Sequence, residues 1–278
     1  MYLTPLSAFR FRQVLSLGLM LLLLSCSTKF RKIQKNEDWR IKYEAALNYY
    51  EKKDFYHASV LFEDIRPIVR GLPEGEDVEF SLAYCHYNEG NYILAAESFK
   101  SFYEVYGRSQ HAQESSYMYA YSLYASAPPS NLDQESGREA MDAMQNFLNR
   151  YPDSEFTERA IEVINVSQSK LEEKAFTNAK LYLRVKNYKA AVIALKNFSQ
   201  DYPDTQLLEE SSFLRVDAQF KLATMSMPNL QAERYNTVVE FYLEFVDKYP
   251  NSKYLKDAEK IYVQSLSKLN QFKKNKTA

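Results

Sequence analysis

Cysteine and histidine are too scarce in this chain to build a disulfide framework or a metal centre. Two cysteines, Cys26 and Cys85, and three scattered histidines occur among 278 residues, and their spacing matches no metal-ligand motif. The sequence also contains no glycine-rich phosphate loop and no Gly-x-Ser-x-Gly turn. The carboxylates are dispersed rather than grouped. We therefore predict a protein without enzymatic activity that needs no metal or cofactor.

Long hydrophobic runs are also lacking, apart from one near the start. Residues 14–24 form an apolar stretch of 11 residues, whereas a membrane-spanning helix needs about 20. Arg10 and Arg12 precede this stretch, as in a secretory signal. The sequence Leu23-Leu24-Ser25 then leads directly to Cys26, which resembles the lipobox of bacterial lipoproteins. We predict a signal peptide over residues 1–25 and lipidation of Cys26; the alternative is an ordinary cleaved signal followed by a chance cysteine.

The remaining chain carries little net charge. Removal of residues 1–25 takes away Arg10 and Arg12, which lowers Lys+Arg from 35 to 33 against 36 acidic residues, so the charge becomes about −3. This balance argues against nucleic acid as the main partner. Once Cys26 is acylated, Cys85 has no partner for a disulfide bond.

Helix-breaking residues are few, with only six glycines and nine prolines. Between them lie stretches of roughly 12–20 residues that are rich in Ala, Leu, Glu, Lys and Tyr, with apolar residues at helical spacing. No segment alternates as a strand would. The sequence therefore predicts an all-helical fold.

Internal repeats predict how these helices pair. An alanine recurs 12 residues after another alanine in three places, and an aromatic residue stands three positions before the second alanine each time. The alanine pairs are Ala46/Ala58, Ala83/Ala95 and Ala179/Ala191, and the aromatic residues are Phe55, Tyr92 and Tyr188. Repeated endings follow, with sequences FYEVYGRS, FLNRYPDS, FSQDYPDT and FVDKYPNS. These features fit the tetratricopeptide pattern, in which alanines let two helices approach closely and proline lies just past a helix end.

The repeat predicts an all-α, right-handed α-solenoid of about five tetratricopeptide helix pairs with a C-terminal closing helix. The expected units are 39–70, 76–107, 111–152, 172–203 and 208–250, followed by a closing helix over about 253–272. Residues 155–171 are interpreted as a helical lead-in to the fourth unit. In terms of organisation, we expect a lipidated linker (26–38), an N-terminal part with units one to three (39–152), a C-terminal part (153–272) and a disordered tail (273–278).

A groove rich in aromatic residues is predicted on the inner wall of the N-terminal part. In a solenoid this wall comes mainly from the first helix of each pair. Positions three before, one after and four after the anchoring alanine are aromatic in eight of nine cases, taking Ala120 as the anchor of unit three. The aromatic residues are Tyr43, Tyr50, Phe80, Tyr84, Tyr87, Tyr117, Tyr121 and Tyr124, and Leu47 is the exception. Such a surface suits an extended apolar–aromatic peptide, although the same residues could serve only as packing.

Three longer segments carry a resemblance to a known family. They read AYCHYNEGNYILAAESFKSF, LEEKAFTNAKLYLRVKNYKAAVIALKNF and KYPNSKYLKDAEKIYVQSL. Together with Cys26 and the unit count, they resemble the BamD family, the outer-membrane lipoprotein of the β-barrel assembly machinery. The resemblance implies an anchor in the outer membrane, through lipid on Cys26, with the protein facing the periplasm.

The resemblance also implies partners. The C-terminal units are expected to dock on BamA within the assembly machinery and its other subunits, and the N-terminal units are expected to bind the targeting segment of unfolded outer-membrane β-barrel proteins. Charged residues suit the docking surface, and they are Arg215, Asp217, Lys221, Arg234, Glu240, Glu244, Asp247 and Lys248. The alternative is a periplasmic tetratricopeptide scaffold lipoprotein linked to cell-wall or division machinery.

Overall fold

The structure of the chain is a computed structural model that describes residues 29–277. Within this range it contains helices and no strands. A short helical segment at residues 29–34 precedes the eleven longer helices. These are α1 (Trp39–Glu51), α2 (Phe55–Val69), α3 (Pro73–Asn88), α4 (Tyr92–Val105), α5 (Ala112–Ser126), α6 (Glu135–Arg150), α7 (Thr157–Arg184), α8 (Tyr188–Asp201), α9 (Leu208–Thr224), α10 (Pro228–Lys248) and α11 (Leu255–Thr277).

Helices that follow one another along the chain pack together in pairs. The pairs α1/α2, α3/α4 and α5/α6 correspond to the first three predicted units, and α9/α10 corresponds to the fifth. The C-terminal part of α7 and α8 occupy the range of the fourth unit. The prediction of an all-helical fold built from consecutive helix pairs is therefore confirmed.

The repeat alanines lie where the helices of a pair meet. All six are buried, with Ala46, Ala58, Ala83, Ala95 and Ala191 at 0 % exposure and Ala179 at 3 %. A larger side chain at such a position would force the helices apart or push its neighbours off their preferred rotamers. This burial confirms the repeat register that the alanine spacing predicted.

The turn inside each regular pair has the same backbone conformation. Lys53, Gly90 and Lys186 occupy equivalent positions and have φ values of 60°, 80° and 60°. In each turn two backbone N–H groups close the helix in a Schellman arrangement. After α3, for example, the N–H of Gly90 donates to the carbonyl of Tyr87 at 3.1 Å and that of Asn91 donates to the carbonyl of His86 at 2.9 Å. The turn thus ends one helix and places the next aromatic residue at the start of its partner.

A second repeated device ends the outer helix of four pairs. A phenylalanine and a tyrosine four residues later have ring centroids 5.1 to 5.7 Å apart at each site. The tyrosine N–H also donates to the phenylalanine carbonyl. The pairs are Phe102/Tyr106, Phe147/Tyr151, Phe198/Tyr202 and Phe245/Tyr249. The sequences FYEVYGRS, FLNRYPDS, FSQDYPDT and FVDKYPNS therefore encode one local structure.

The chain divides into two compact units, and the division lies inside α7. The first unit comprises residues up to 127 together with 134–167, and the second comprises 128–133 and residues from 168 onward. We expected the two parts to meet at 152/153, so the structure places the division later. The reason is that Ala160 and Val163 of α7 are buried in the same core as Met144 and Phe147. The interpretation of residues 155–171 as a lead-in to the fourth unit is thus incomplete, because the start of α7 completes the first unit's core.

Two terminal segments bear on the predicted organisation. Helix α11 continues to Thr277, past the predicted end of the closing helix at 272, because no glycine or proline interrupts residues 273–277. Residues 29–34, inside the predicted linker, are helical. The predicted signal peptide over residues 1–25 and the predicted lipidation site Cys26 lie outside the described residues.

Candidate functional site

Five of the eight predicted groove residues line one cavity in the first unit. These are Tyr84 and Tyr87 from α3 and Tyr117, Tyr121 and Tyr124 from α5, and the cavity has a volume of about 510 Å³. The two helices bring them together because positions at i, i+3 and i+4 share one face of a helix. The structure thus collects tyrosines that are up to 40 residues apart in the sequence into a single concave surface.

The rings in this cavity form a connected row. Tyr121 lies 6.1 Å from Tyr87, 5.6 Å from Tyr117 and 5.7 Å from Tyr124, measured between ring centroids. Tyr117 also stacks on Phe156, with centroids 4.6 Å apart and an angle of 12° between the ring planes. Tyr117 is only 3 % exposed, so it packs behind the row. The other four tyrosines are half-buried and present part of their rings to the cavity.

The three remaining aromatic residues of the predicted groove do not line this cavity. The Tyr43 hydroxyl donates to the Asp77 carboxylate at 3.3 Å, and the Tyr50 ring packs edge-on against Phe55 at 5.7 Å. Phe80 stacks on the His111 ring at 4.2 Å. All three are half-buried, so the structure separates the predicted groove into a cavity lined by units two and three and a group of paired aromatic residues.

Three tyrosines of the cavity, Tyr84, Tyr87 and Tyr117, have a raised pKa, so their hydroxyls stay protonated over the whole physiological pH range. Burial, with a smaller contribution from the neighbouring Tyr121, raises the pKa of Tyr87 and Tyr117 to about 12. Burial and the hydrogen bond to Glu114 raise the pKa of Tyr84, and its hydroxyl donates to a Glu114 carboxylate oxygen. Phenols in this state can donate hydrogen bonds to the backbone carbonyls of a bound chain.

Charged residues at the cavity were missed by the sequence reasoning. Glu114 from α5 and Arg159 and Glu162 from α7 line the same space. Arg159 is exposed and forms no ion pair with any residue that the structure describes. No spacing in the sequence singles these residues out, because they reach the cavity only through the packing of the start of α7 against the first unit's core.

The second unit carries ion pairs where the first carries tyrosines. Lys180 occupies the groove position equivalent to Tyr84, and its Nζ donates to Glu210 at 2.7 Å. Two of the charged residues predicted for docking are similarly engaged, since Arg215 bonds to Glu244 and its guanidinium carbon lies 4.0 Å from the centre of the Phe241 ring. These pairs stay within the second unit and make its surface polar.

The described part of the chain contains no candidate metal site, and the cysteine that it includes, Cys85, is buried. No group of three or more His, Cys, Asp and Glu residues there could hold a metal ion. Cys85 is buried among apolar residues of the first unit, and this burial raises the pKa of its thiol to about 12. A thiol that stays protonated is a poor nucleophile.

The helix pairs, their alanine contacts and the aromatic cavity define a helical-repeat protein of the tetratricopeptide type. A family model described as YfiO, outer membrane lipoprotein, matches residues 36–234, and the chain belongs to this family. This is the BamD type of lipoprotein that the sequence resembles. No curated protein matches the chain. Among the described residues, none of the helices is both long and apolar enough to span a bilayer.

Proposed function

We propose that this protein is a non-catalytic component of the outer-membrane β-barrel assembly machinery. It is anchored by lipid on Cys26, binds BamA, and holds the targeting segment of unfolded outer-membrane proteins to promote their folding and insertion. Membership of an outer membrane lipoprotein family supports the location. The observation that carries the binding role is the convergence of five tyrosines from two helices on one cavity.

The chemistry of the cavity suits a peptide that ends in an aromatic residue. Its volume of about 510 Å³ falls within the range of ligand sites, which is about 300–1,000 Å³. The half-buried faces of Tyr87, Tyr121 and Tyr124 offer stacking surface with few rotatable bonds to restrict. Arg159 offers an unpaired cation for a terminal carboxylate. An aromatic side chain and its C-terminal carboxylate would therefore find partners at the same place.

The second unit supplies the docking surface for BamA in this proposal. Its charged residues are held by ion pairs: Lys180 pairs with Glu210 on a neighbouring helix, and Lys221 pairs with Asp217, one turn earlier on the same helix, at 2.6 Å. Charged groups that are already ordered lose little entropy on association. A polar, ordered surface of this kind suits a partner that must be recognised specifically and bound in one orientation.

The experiment that tests peptide binding is fluorescence anisotropy with a labelled peptide of alternating apolar residues ending in phenylalanine. Tyr121→Ala should weaken binding by at least tenfold, because the ring contacts three other tyrosines of the cavity. The matched control is Tyr262→Ala, which removes a half-buried tyrosine that stacks on Tyr242 at 4.3 Å in the second unit. Equal losses in both variants, or a Tyr121→Ala chain whose thermal unfolding collapses, would leave the tyrosines as packing residues only.

The assembly role has its own test. The tagged protein, purified from detergent-solubilised envelope, should bring BamA with it in mass spectrometry, and depletion should lower the level of outer-membrane barrels in general. Recovery of cell-wall enzymes without BamA would point instead to a scaffold in the cell-wall or division machinery.

A further inference from the structure

The short helix at residues 29–34 is attached to the first repeat by its apolar side. The ring of Phe30 lies 4.3 Å from the ring of His57 and 5.8 Å from the ring of Tyr49, both in edge-on geometry. Phe30 and Ile33 pack against the core formed by α1, α2 and α3. Since these two side chains are three residues apart on one helix, they fix which face of the segment points away from the repeat.

The exposed side chains of this segment are strongly basic. Lys29, Arg31, Lys32 and Lys35 are all exposed, and none of them forms an ion pair with a described residue. No acidic residue occurs between Lys29 and Lys35. The chain after residue 25 carries a net charge of about −3, so this segment is positively charged although the chain as a whole is negative.

The position of the segment in the sequence places it at the membrane. Three peptide units join Cys26 to Lys29, and three residues span at most about 10 Å. This distance is close to the Debye length of about 8 Å at physiological ionic strength. If Cys26 carries acyl chains, the four cations lie within the electrostatic reach of the headgroups around the anchor.

We propose that the basic face formed by Lys29, Arg31, Lys32 and Lys35 binds anionic phospholipid headgroups of the membrane in which the protein is anchored. The inference rests on the lipidation that belongs to the proposed function. Clusters of four or more basic residues next to a membrane anchor are attracted by an anionic lipid surface. Because Phe30 ties the segment to His57 and Tyr49, this contact holds the first repeat at the bilayer instead of leaving it on a free tether.

The test separates lipid binding from acylation. The mature chain from residue 26 with Cys26→Ser is sedimented with vesicles of phosphatidylcholine alone or with phosphatidylglycerol added. The chain should partition at least tenfold more strongly onto the anionic vesicles, and the preference should disappear as salt is raised. Changing Lys29, Arg31, Lys32 and Lys35 together to Gln should abolish the preference, since each cation near such a surface is worth about a fivefold change in affinity.

The matched control changes four other exposed lysines to Gln and so removes the same amount of charge. Lys189, Lys196, Lys256 and Lys260 are exposed and have no ion-pair partner among the described residues. This variant should keep the full preference for anionic vesicles. Equal partition of the parent chain onto both kinds of vesicle would overturn the inference, and so would an equal loss in the two fourfold variants.

The outcome stays distinguishable from a failure of the proposed function. Binding of the barrel-terminal peptide is measured on the same unacylated chains without vesicles, where the basic face plays no part. A chain that binds peptide but shows no lipid preference refutes only the lipid inference. A chain that prefers anionic vesicles but ignores the peptide refutes the peptide-binding role and leaves the lipid inference standing.

Discussion

Tyr84 and Glu114 link the first helices of two successive repeats. The Tyr84 hydroxyl donates to a Glu114 carboxylate oxygen 30 residues further along the chain. In the second unit, Lys180 donates to Glu210 at the same separation of 30 residues. One structural position therefore carries a neutral phenol in the unit with the aromatic cavity and an ammonium in the unit proposed to dock on BamA. The repeat keeps the acidic partner and changes the donor.

Removing the donor at this position should loosen the stack of the first unit. Tyr84→Phe keeps the ring in place but leaves Glu114 without its hydroxyl partner, and we expect a loss of about 1 kcal/mol in the free energy of unfolding. Urea denaturation measures it. The control is Tyr242→Phe, whose hydroxyl has no hydrogen-bond partner among the described residues; it should unfold like the parent chain. A Tyr84→Phe protein as stable as its control would show that this hydrogen bond adds nothing.

Alkaline pH should destabilise the first unit. Burial raises the pKa of Tyr43, Tyr50, Tyr87 and Tyr117 from 10.0 to about 12. Between these values the unfolded chain has released protons that the folded chain still holds, so the free energy of unfolding falls as pH rises. Below pH 10 the contribution is fully present, and it is lost as pH approaches about 12.

Tyrosinate absorbance and the urea midpoint, both followed from pH 9 to 12, check this expectation. Tyr87→Phe combined with Tyr117→Phe removes two of the four groups and should make the decline shallower. A midpoint that stays constant up to pH 12 would contradict the role of burial.

The contact between the helices of the second pair should not tolerate a larger side chain. Ala95 is 0 % exposed in α4, and Ala95→Leu should lower the free energy of unfolding by roughly 1–3 kcal/mol through overpacking. Ser101→Leu adds a leucine on the exposed side of the same helix and should change stability little. If the two variants have the same melting temperature, the close approach of the helices at Ala95 does not stabilise this pair.

Local features of the fold could be predicted from the sequence, whereas the composition of the cavity could not. Alanine spacing and turn residues identify helix pairs, because the contacts within a pair join residues that are close together in the sequence. The role of Arg159 depends instead on α7 packing against α5, a contact that no local pattern reports. Their spacing from Ala120 predicts that Tyr117 and Tyr121 both line the groove. Only Tyr117 is buried, because its ring stacks on Phe156. Such differences arise from tertiary packing, which the spacing of residues in the sequence does not predict.

The repeated turn contains two residues in an unfavourable conformation. Lys53 and Lys186 have φ of 60°, a region that side chains with a Cβ atom occupy at a cost, while Gly90 fills the equivalent place without it. Lys186→Gly should therefore raise the free energy of unfolding by about 1 kcal/mol. The reverse change, Gly90→Ala, has room for its Cβ, with no other atom within 4 Å, and should lower stability by a similar amount. Differential scanning calorimetry measures both, and shifts of the same sign would refute the explanation.

Membrane attachment at high salt should depend on the lipidation of Cys26. The acyl chains gain roughly 0.8 kcal/mol for each buried CH₂ group, and stable anchoring takes more than one signal. Because Cys26→Ala removes the acylation site, it should move the protein from the membrane fraction to the soluble fraction at high salt. High salt matters because it screens the basic face of residues 29–35, which would otherwise retain part of the chain on anionic lipid.

Cys85→Ala is the control. That thiol is buried, so its replacement should leave fractionation unchanged. Cys26→Ala protein that remains in the outer membrane at high salt would show that the anchor lies elsewhere.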